Sequence, residues 1–222
     1  MISDVTVREF AELGAEPAVR GFLHTPSVAN GHALILTHGA GANCQSRLLH
    51  AFADEFGASG FLVLRCDLPF RQKRPHGPPF PATAAQDRAG LERAVNVLRP
   101  QASGQIFLAG HSYGGRQASM LCAERPGLVA GLLLLSYPLH PPRKPQDLRT
   151  AHFAQLNTPA LFVHGSRDPF GSVAEMQPAL ELIPARRLLH LVEGAGHELM
   201  RGSGASDLPG NIREQFSVFF NL

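Results

Sequence analysis

The apolar residues of this chain fall into short, unbroken runs separated by longer amphipathic segments. The runs lack the alternation of a half-exposed strand, which is typical of strands buried on both faces of a parallel sheet. They occupy residues 33–37, 61–65, 105–109, 131–136, 160–164 and 187–192. Two further runs, at residues 5–7 and 19–24, predict an antiparallel pair of strands at the sheet edge.

Helical patterns lie between most of these strands. In the first of them, Leu48, Phe52 and Phe56 fall on one face of a helix. Helices are predicted over residues 46–59, 83–98, 116–124, 173–182 and 209–220. Strands that alternate with helices predict an α/β fold, with a mostly parallel central sheet of about eight strands and helices on both faces.

Size and charge limit the kinds of partner that this chain can have. A chain of 222 residues fits one α/β domain, predicted to span residues 1–222. The net charge of +2 gives no global field that would recruit nucleic acid or a membrane. The N-terminus lacks the pattern of a secretory signal, and the longest apolar stretch is too short to span a bilayer. The three scattered cysteines are expected to be free thiols. We therefore expect a cytoplasmic protein without nucleic-acid or membrane partners, and its oligomeric state stays open.

The pattern G-x-S-x-G follows the run at residues 105–109, where a helix is predicted to begin. A serine hydroxyl becomes a nucleophile only with a neighbouring base, an exposed position and donors for the oxyanion that it creates. A sharp strand-to-helix turn supplies the exposure and requires small residues on both sides of the serine. Gly110 and Gly114 meet that requirement, so Ser112 is the candidate nucleophile.

Candidate partners for Ser112 follow two later strands. Asp168 comes after the fifth of the unbroken runs, and His197 comes after the sixth. Because the carboxyl ends of parallel strands meet at one edge of the sheet, we expect the three side chains to converge there. His197 would take the Ser112 proton and return it to the leaving group. Asp168 would orient the imidazole and stabilise its positive form.

Each of these three assignments has a less specific alternative. Ser112 could be an ordinary helix-capping serine, and His197 a surface histidine. Asp168 could be a turn aspartate before a proline. Glu193 and Asp207 are second choices for the acid.

A loop after the first unbroken run would complete the site. The sequence there is His38-Gly39-Ala40-Gly41, and a His-Gly pair after this strand marks the loop that supplies one oxyanion donor. Its glycines allow the backbone to approach a substrate closely. The predicted oxyanion donors are the backbone N–H groups of Ala40 and Tyr113.

With Ser, Asp and His in this order, each just past a strand, the chain resembles the α/β-hydrolase superfamily over nearly its whole length. It also resembles a narrower family of small, capless bacterial hydrolases. That resemblance rests on LTHGAGA at residues 36–42, RCDLPF at 65–70 and SYPLHPP at 136–142. Animal relatives of this family include testis-expressed proteins and a subunit of a histone-acetylating complex. No metal or organic cofactor is implied.

Many members of the superfamily carry a helical cap where this chain has residues 138–159. A segment of about twenty residues cannot hold several helices, so we expect a minimal cap, with one helix possible over residues 148–156. The site would then be covered only by this segment and by the proline-rich stretch at residues 67–81. That stretch follows neither period and is predicted to be irregular.

Several basic side chains lie in the proline-rich stretch, after a strand whose end faces the predicted site. They are Arg71, Lys73, Arg74 and His76. Such clusters bind carboxylate or phosphate, so Arg71, Lys73 and Arg74 are candidates for binding an anionic group of the substrate. The alternative is a solvated basic loop. Arg116 could pair with Asp67 and brace this stretch, or be an ordinary helix residue.

The predicted function is hydrolysis of an ester or thioester, with a small-molecule acyl substrate bound covalently to Ser112 during turnover. A serine nucleophile argues against the dehalogenases and dienelactone hydrolases of the superfamily, which use aspartate and cysteine. One alternative is a serine peptidase, although the chain leaves no room for the extra domain of prolyl peptidases. The other is a non-catalytic scaffold on the same fold. The presence of all three side chains and both oxyanion loops favours catalysis.

Overall fold

A computed structural model describes residues 4–200 and 207–222 of the chain. The strands are β1 Val5–Glu12, β2 Val19–Pro26, β3 Ala33–Thr37, β4 Leu62–Cys66, β5 Ile106–His111, β6 Gly131–Leu135, β7 Ala160–Gly165 and β8 Arg187–Val192. They form one eight-stranded sheet in the order β1-β2-β4-β3-β5-β6-β7-β8. β2 runs antiparallel to β1 and β4, and the other neighbouring strands are parallel. The predicted sheet, with an antiparallel pair at its edge, is confirmed.

Helices cover both faces of this sheet. They are α1 Arg47–Ala58, α2 Pro69–Lys73, α3 Ala84–Leu98, α4 Tyr113–Glu124, α5 Val173–Leu180 and α6 Leu208–Phe220. Helices α3, α4 and α5 bury side chains against one face, and α1 and α6 bury theirs against the other. In β3, Ile35 packs toward the first group and Leu34 and Leu36 toward the second. Both faces are covered, which is why the strands appear in the sequence as unbroken apolar runs. No helix in the described part of the chain is long and apolar enough to cross a membrane.

The sequence predicts that the proline-rich stretch at residues 67–81 is irregular, but part of this stretch is helical. Helix α2 forms there and buries Pro69, Phe70 and Arg71. The buried carboxylate of Asp87 on α3 accepts the backbone N–H of Phe70 at 3.0 Å and fixes the start of this helix. Five residues are too few to show a helical period, so the pattern alone could not predict α2.

The segment at residues 138–159 also differs from its prediction. No helix covers residues 148–156, and the only regular element there is a 3₁₀ turn at Phe153–Gln155. The backbone folds back on itself before this 3₁₀ turn, and the Tyr137 hydroxyl donates to the Arg149 carbonyl at 2.6 Å. The backbone N–H of Arg149 in turn donates to the Leu139 carbonyl at 2.8 Å. The expectation of a minimal cap agrees with this arrangement.

A buried pair of side chains joins β2 to β4 beneath the loop that follows β3. Arg65 is only 1% exposed, and its Nε donates to Nε2 of His24 at 2.8 Å. Its Nη1 donates to the Cys44 carbonyl at 2.5 Å. His24 must be neutral to accept from Arg65. Burial, followed by the Arg65 charge and the smaller effect of His50, lowers the pKa of His24 to about 4, against the attraction of Asp54.

We expect the free energy of unfolding to decrease as the pH falls from about 6.5 to about 4. An unfolded histidine has a pKa near 6.5, so in this window the unfolded state binds a proton that folded His24 does not bind. The contribution of His24 is present above pH 6.5, is lost as the pH falls toward 4, and amounts to at most about 3 kcal/mol. In His24→Gln, whose amide oxygen can accept from Arg65, urea unfolding should depend less on pH in this window. If the free energy of unfolding of the variant depends on pH as steeply as that of the native protein, His24 is not the group responsible for this dependence.

Candidate active site

A strained turn places Ser112 between β5 and α4. Strand β5 ends one residue before Ser112, and α4 begins one residue after it. The φ of 50° and ψ of −115° at Ser112 are rare for a residue with a Cβ. A Cβ on Gly110 would lie 2.5 Å from the carbonyl carbon of Gly114, and one on Gly114 would lie 2.5 Å from the His38 carbonyl oxygen. The turn therefore depends on both glycines, as the motif predicts.

Ser112, His197 and Asp168 are joined by hydrogen bonds. His197 Nε2 lies 2.8 Å from Ser112 Oγ, and His197 Nδ1 lies 2.8 Å from Asp168 Oδ2. The Ser112 side chain makes no capping hydrogen bond at the start of α4, so the helix-cap alternative does not describe it. The structure thus brings together the three side chains that were expected to converge.

The carboxylate beside His197 belongs to Asp168 and not to either second-choice acid. Glu193 is exposed, and Asp207 lies at the start of α6. Asp168 is 4% exposed, and its Oδ1 accepts the backbone N–H of Phe170 at 2.9 Å. Because that bond occupies Oδ1, Oδ2 is left to face His197. A carboxylate held in this way fixes the imidazole ring and stabilises its charged form.

Two aromatic side chains hold His197 in place. Neither was among the site residues predicted from the sequence. Phe170 stacks on the His197 ring with centroids 4.1 Å apart. His111 Nε2 donates to the His197 carbonyl oxygen at 3.0 Å. Burial lowers the pKa of His111, which keeps its ring neutral. His111 occupies the variable position before the serine of the motif, so its place was predictable but its partner was not.

The predicted oxyanion donors lie beside Ser112. In the part of the chain that the structure describes, the N–H groups of Ala40 and Tyr113 bond to no other backbone group. Tyr113 is the first residue of α4, where an N–H has no intrahelical acceptor. A Cβ on Gly39 would lie 3.3 Å from Ser112 Cβ, so the loop approaches the serine closely. Both N–H groups are available to an oxyanion formed at Ser112.

The buried side chain of His38 orients the peptide group between Gly39 and Ala40. Its Nε2 accepts the backbone N–H of Leu68 at 3.1 Å, so the ring proton is on Nδ1, which donates to the Gly39 carbonyl at 2.8 Å. That carbonyl and the Ala40 N–H belong to one planar peptide and point in opposite directions. Burial lowers the pKa of His38 and keeps this donor–acceptor pattern in place.

Arg71 also binds this loop, although it was a candidate for binding substrate. Its side chain is buried, and Nε and Nη2 donate to the carbonyls of Ala42 and Ala40, both at 2.8 Å. Further bonds of 3.0 Å reach the carbonyls of Arg74 and Gly77. The prediction that Arg71 binds an anionic substrate group is wrong, because backbone carbonyls occupy its guanidinium. The solvated-loop alternative is also wrong for Arg71.

The other two basic candidates point elsewhere. Lys73 Nζ donates to the Gln86 side chain at 3.0 Å, and the Arg74 guanidinium lies 4.4 Å from the centroid of the Phe80 ring. Neither side chain lines a cavity that contains Ser112. The anion site predicted for this stretch is therefore not formed.

We expect Arg71→Met to destabilise the fold and impair the oxyanion loop. Four hydrogen bonds to carbonyls are lost at about 1 kcal/mol each, so the free energy of unfolding should fall by roughly 3–4 kcal/mol. A displaced oxyanion donor costs about 10²-fold in kcat. Chemical denaturation and ester hydrolysis measure the two effects. Lys73→Met, two residues along, is the matched control and should change stability by less than about 0.5 kcal/mol. Equal stability of the two variants would refute this role for Arg71.

Two cavities meet at Ser112 and share Ala40 and Phe170 as lining residues. The first, which we call the His197 cavity, has a volume of about 490 Å³ and is also lined by His197. The second, which we call the Arg116 cavity, has a volume of about 630 Å³ and is lined by Arg116 and by residues 78–82. Each is large enough for part of a small organic substrate.

A parallel sheet with a serine turn after β5 and with an acid and a histidine after β7 and β8 defines the class of α/β hydrolases. The family model described as an alpha/beta hydrolase domain matches residues 30–214. The chain therefore belongs to the alpha/beta hydrolase family, and it is a hydrolase.

Solved structures of similar fold include hydrolases of several names. A dienelactone hydrolase from Anabaena variabilis has a TM-score of 0.77 at 21% identity, covering 98% of this chain and 97% of that one. An α/β serine hydrolase without lid from Xanthomonas campestris has a TM-score of 0.69 at 15% identity, covering 97% and 94%. An esterase from Pyrococcus furiosus has a TM-score of 0.73 at 15% identity, covering 99% and 91%. Likeness at these identities establishes the fold alone.

Proposed function

We infer that the protein is a serine hydrolase that cleaves an ester or thioester of a small molecule through an acyl-enzyme. The observation that carries this proposal is the unbroken chain of two 2.8 Å contacts from Asp168 through His197 to Ser112. The two free N–H groups beside the serine support it further. Metal ions and organic cofactors have no part in the proposed reaction.

The first half of the reaction forms the acyl-enzyme. Ser112 Oγ attacks the carbonyl carbon of the substrate while His197 Nε2 takes the hydroxyl proton. The negative charge that develops on the carbonyl oxygen is stabilised by the N–H groups of Ala40 and Tyr113. The imidazolium of His197, paired with Asp168, then gives its proton to the departing alcohol or thiol. In the second half, His197 activates water in the same way, and the acid product leaves Ser112.

The positions of the two cavities indicate how the substrate lies. The leaving group must receive a proton from His197, so it should occupy the cavity that His197 lines. The acyl chain then extends into the Arg116 cavity, which lies beside Tyr113 and has no contact with His197. Both cavities are open to small-molecule substrates, because the residues 138–159 form no helical cap.

We place the enzyme in the cytoplasm. Its three cysteines are buried and unpaired, an arrangement that suits a reducing compartment.

Steady-state hydrolysis of 4-nitrophenyl esters and of acyl thioesters, from two to eight carbons in the acyl chain, tests the proposal. We expect multiple turnovers by the native protein and an initial burst of nitrophenol where deacylation is slower than acylation. Ser112→Ala, purified in parallel and shown to be folded by circular dichroism, gives the background rate. If the folded native protein shows only that background with every ester and thioester, the scaffold alternative replaces the proposal.

A further inference from the structure

The Arg116 cavity contains an excess of positive charge beside Ser112. Three arginines line it, namely Arg88, Arg116 and Arg149. No aspartate or glutamate is among the described residues that line it. The buried acid Asp87, which contacts the lining residue Tyr113, already accepts the Tyr113 hydroxyl at 2.7 Å and the Phe70 N–H at 3.0 Å.

Of the three arginines, Arg116 has the least occupied guanidinium. Its guanidinium has no hydrogen-bond acceptor and no ion-pair partner among the described residues, Asp67 included. Its Nε is buried without a partner, so part of the group has lost water without gaining an acceptor. Leaving buried guanidinium atoms unsatisfied costs free energy that an acceptor from a ligand would recover.

The other two arginines differ in how fully they are occupied. Arg88 donates to Glu124 at 3.0 Å and to Gln117 at 3.1 Å. Arg149 donates only one bond, of 3.3 Å, to the Pro138 carbonyl. Burial and the neighbouring charge of Arg116 lower the pKa of Arg149. Arg116 and Arg149 therefore repel each other in a cavity whose described lining residues include no carboxylate.

The rest of this cavity suits a hydrocarbon chain. Its wall includes the ring of Phe80, the side chain of Met120 and several prolines at residues 78–81. Ser112 lines the same space, and the two arginines supply N–H donors to it. An acyl chain bound to Ser112 in this cavity can make apolar contacts along its length and place an anionic end at Arg116 and Arg149.

We propose that the Arg116 cavity selects acyl groups that end in a carboxylate, so that the preferred substrates are monoesters or monothioesters of dicarboxylic acids. The proposal rests on the acyl-enzyme function inferred above. A carboxylate accepts two parallel N–H bonds from a guanidinium, and it would relieve the repulsion between Arg116 and Arg149. The alcohol or thiol part of the substrate would remain in the His197 cavity and contribute nothing to this selection.

Matched esters test the proposal. We would measure kcat/KM for 4-nitrophenyl monoesters of dicarboxylic acids with five to eight carbons, and for the same compounds with the second carboxylate capped as a methyl ester. At the best chain length, the native protein should favour the free acid by at least tenfold. Arg116→Gln should lower kcat/KM for the free acid about 10- to 100-fold, and for the capped ester less than threefold. Arg116→Lys, which keeps the charge but not the fork, should retain part of the preference.

Arg125→Gln is the control, because Arg125 is an exposed arginine at the end of the same helix and is paired with Glu92. It should keep the native preference. Equal cleavage of free and capped esters at every chain length would overturn the proposal, as would an equal loss of kcat/KM for both esters in Arg116→Gln.

Labelling of Ser112 by a neutral fluorophosphonate distinguishes failure of the carboxylate site from failure of the serine hydrolase function. Labelling without the preference leaves the serine hydrolase intact and removes only the carboxylate site. No labelling and no cleavage would remove both.

Discussion

Replacing Ser112 by alanine is expected to lower kcat for ester hydrolysis about 10⁵- to 10⁶-fold, and His197→Ala should lower it by a similar factor. The two side chains share one hydrogen bond of 2.8 Å, and each is useless to the reaction without the other. The double variant should therefore be about as slow as either single variant. The rate acceleration that these variants retain over the uncatalysed reaction in water would come from the two oxyanion donors and from substrate binding.

The control for this series is Ser46→Ala. Ser46 lines the same His197 cavity, and its side chain makes no capping bond at the start of α1. It should change kcat less than threefold. Losses that multiply in the Ser112 and His197 double variant would mean that the two side chains act independently, contrary to the geometry.

Asp168→Asn is expected to lower kcat about 10⁴-fold while leaving the fold in place. The backbone N–H of Phe170 donates to Asp168 Oδ1, so an amide at this position must present its oxygen there. Its NH₂ group then faces His197 Nδ1, which must accept a hydrogen bond instead of donating one. The ring is left with its proton on Nε2, directed at Ser112, and cannot act as a base.

Glu193→Gln is the matched control, because Glu193 was a second choice for the acid and is exposed. It should leave kcat unchanged within a factor of about two. A loss for Asp168→Asn below tenfold would contradict the role of this carboxylate.

Most of the sheet could be predicted because both of its faces are covered. An apolar run such as residues 105–109 has one interpretation when helical patterns lie on either side of it. The predicted start of α4 at residue 116 was three residues late, since the turn itself forms the first helical turn at Tyr113. The hydrophobic periodicity does not mark that start, because the glycines there have no side chain.

The positions of Ser112, Asp168 and His197 could be predicted because topology alone brings them together. Each follows a parallel strand, and the ends of such strands share one edge whatever the loops do. The positions of the residues that hold this site in place follow no such rule. Arg71 binds the carbonyl of Ala40, 31 residues away, through a loop conformation that its own sequence does not specify. The sequence therefore showed a basic cluster but not that its first member, Arg71, is turned inward.

The surroundings of Arg116 could not be predicted from the sequence either. Its position in the first turn of α4 places it near Ser112, but its environment depends on the segment that contains Arg149. That segment is held by the hydrogen bond between Tyr137 and Arg149 and by a 3₁₀ turn, neither of which has a sequence period. An anion site was predicted from the sequence at Arg71, Lys73 and Arg74, and the site that we propose uses Arg116 and Arg149 instead.

The most direct measurement of the central claim is labelling with a fluorophosphonate, with the adduct located by mass spectrometry of proteolytic peptides. We expect a single stoichiometric adduct on Ser112 in the native protein, strongly slowed labelling in His197→Ala, and none in Ser112→Ala. A folded native protein that stays unlabelled, or that carries its adduct on another residue, would contradict the claim that Ser112 is an activated nucleophile.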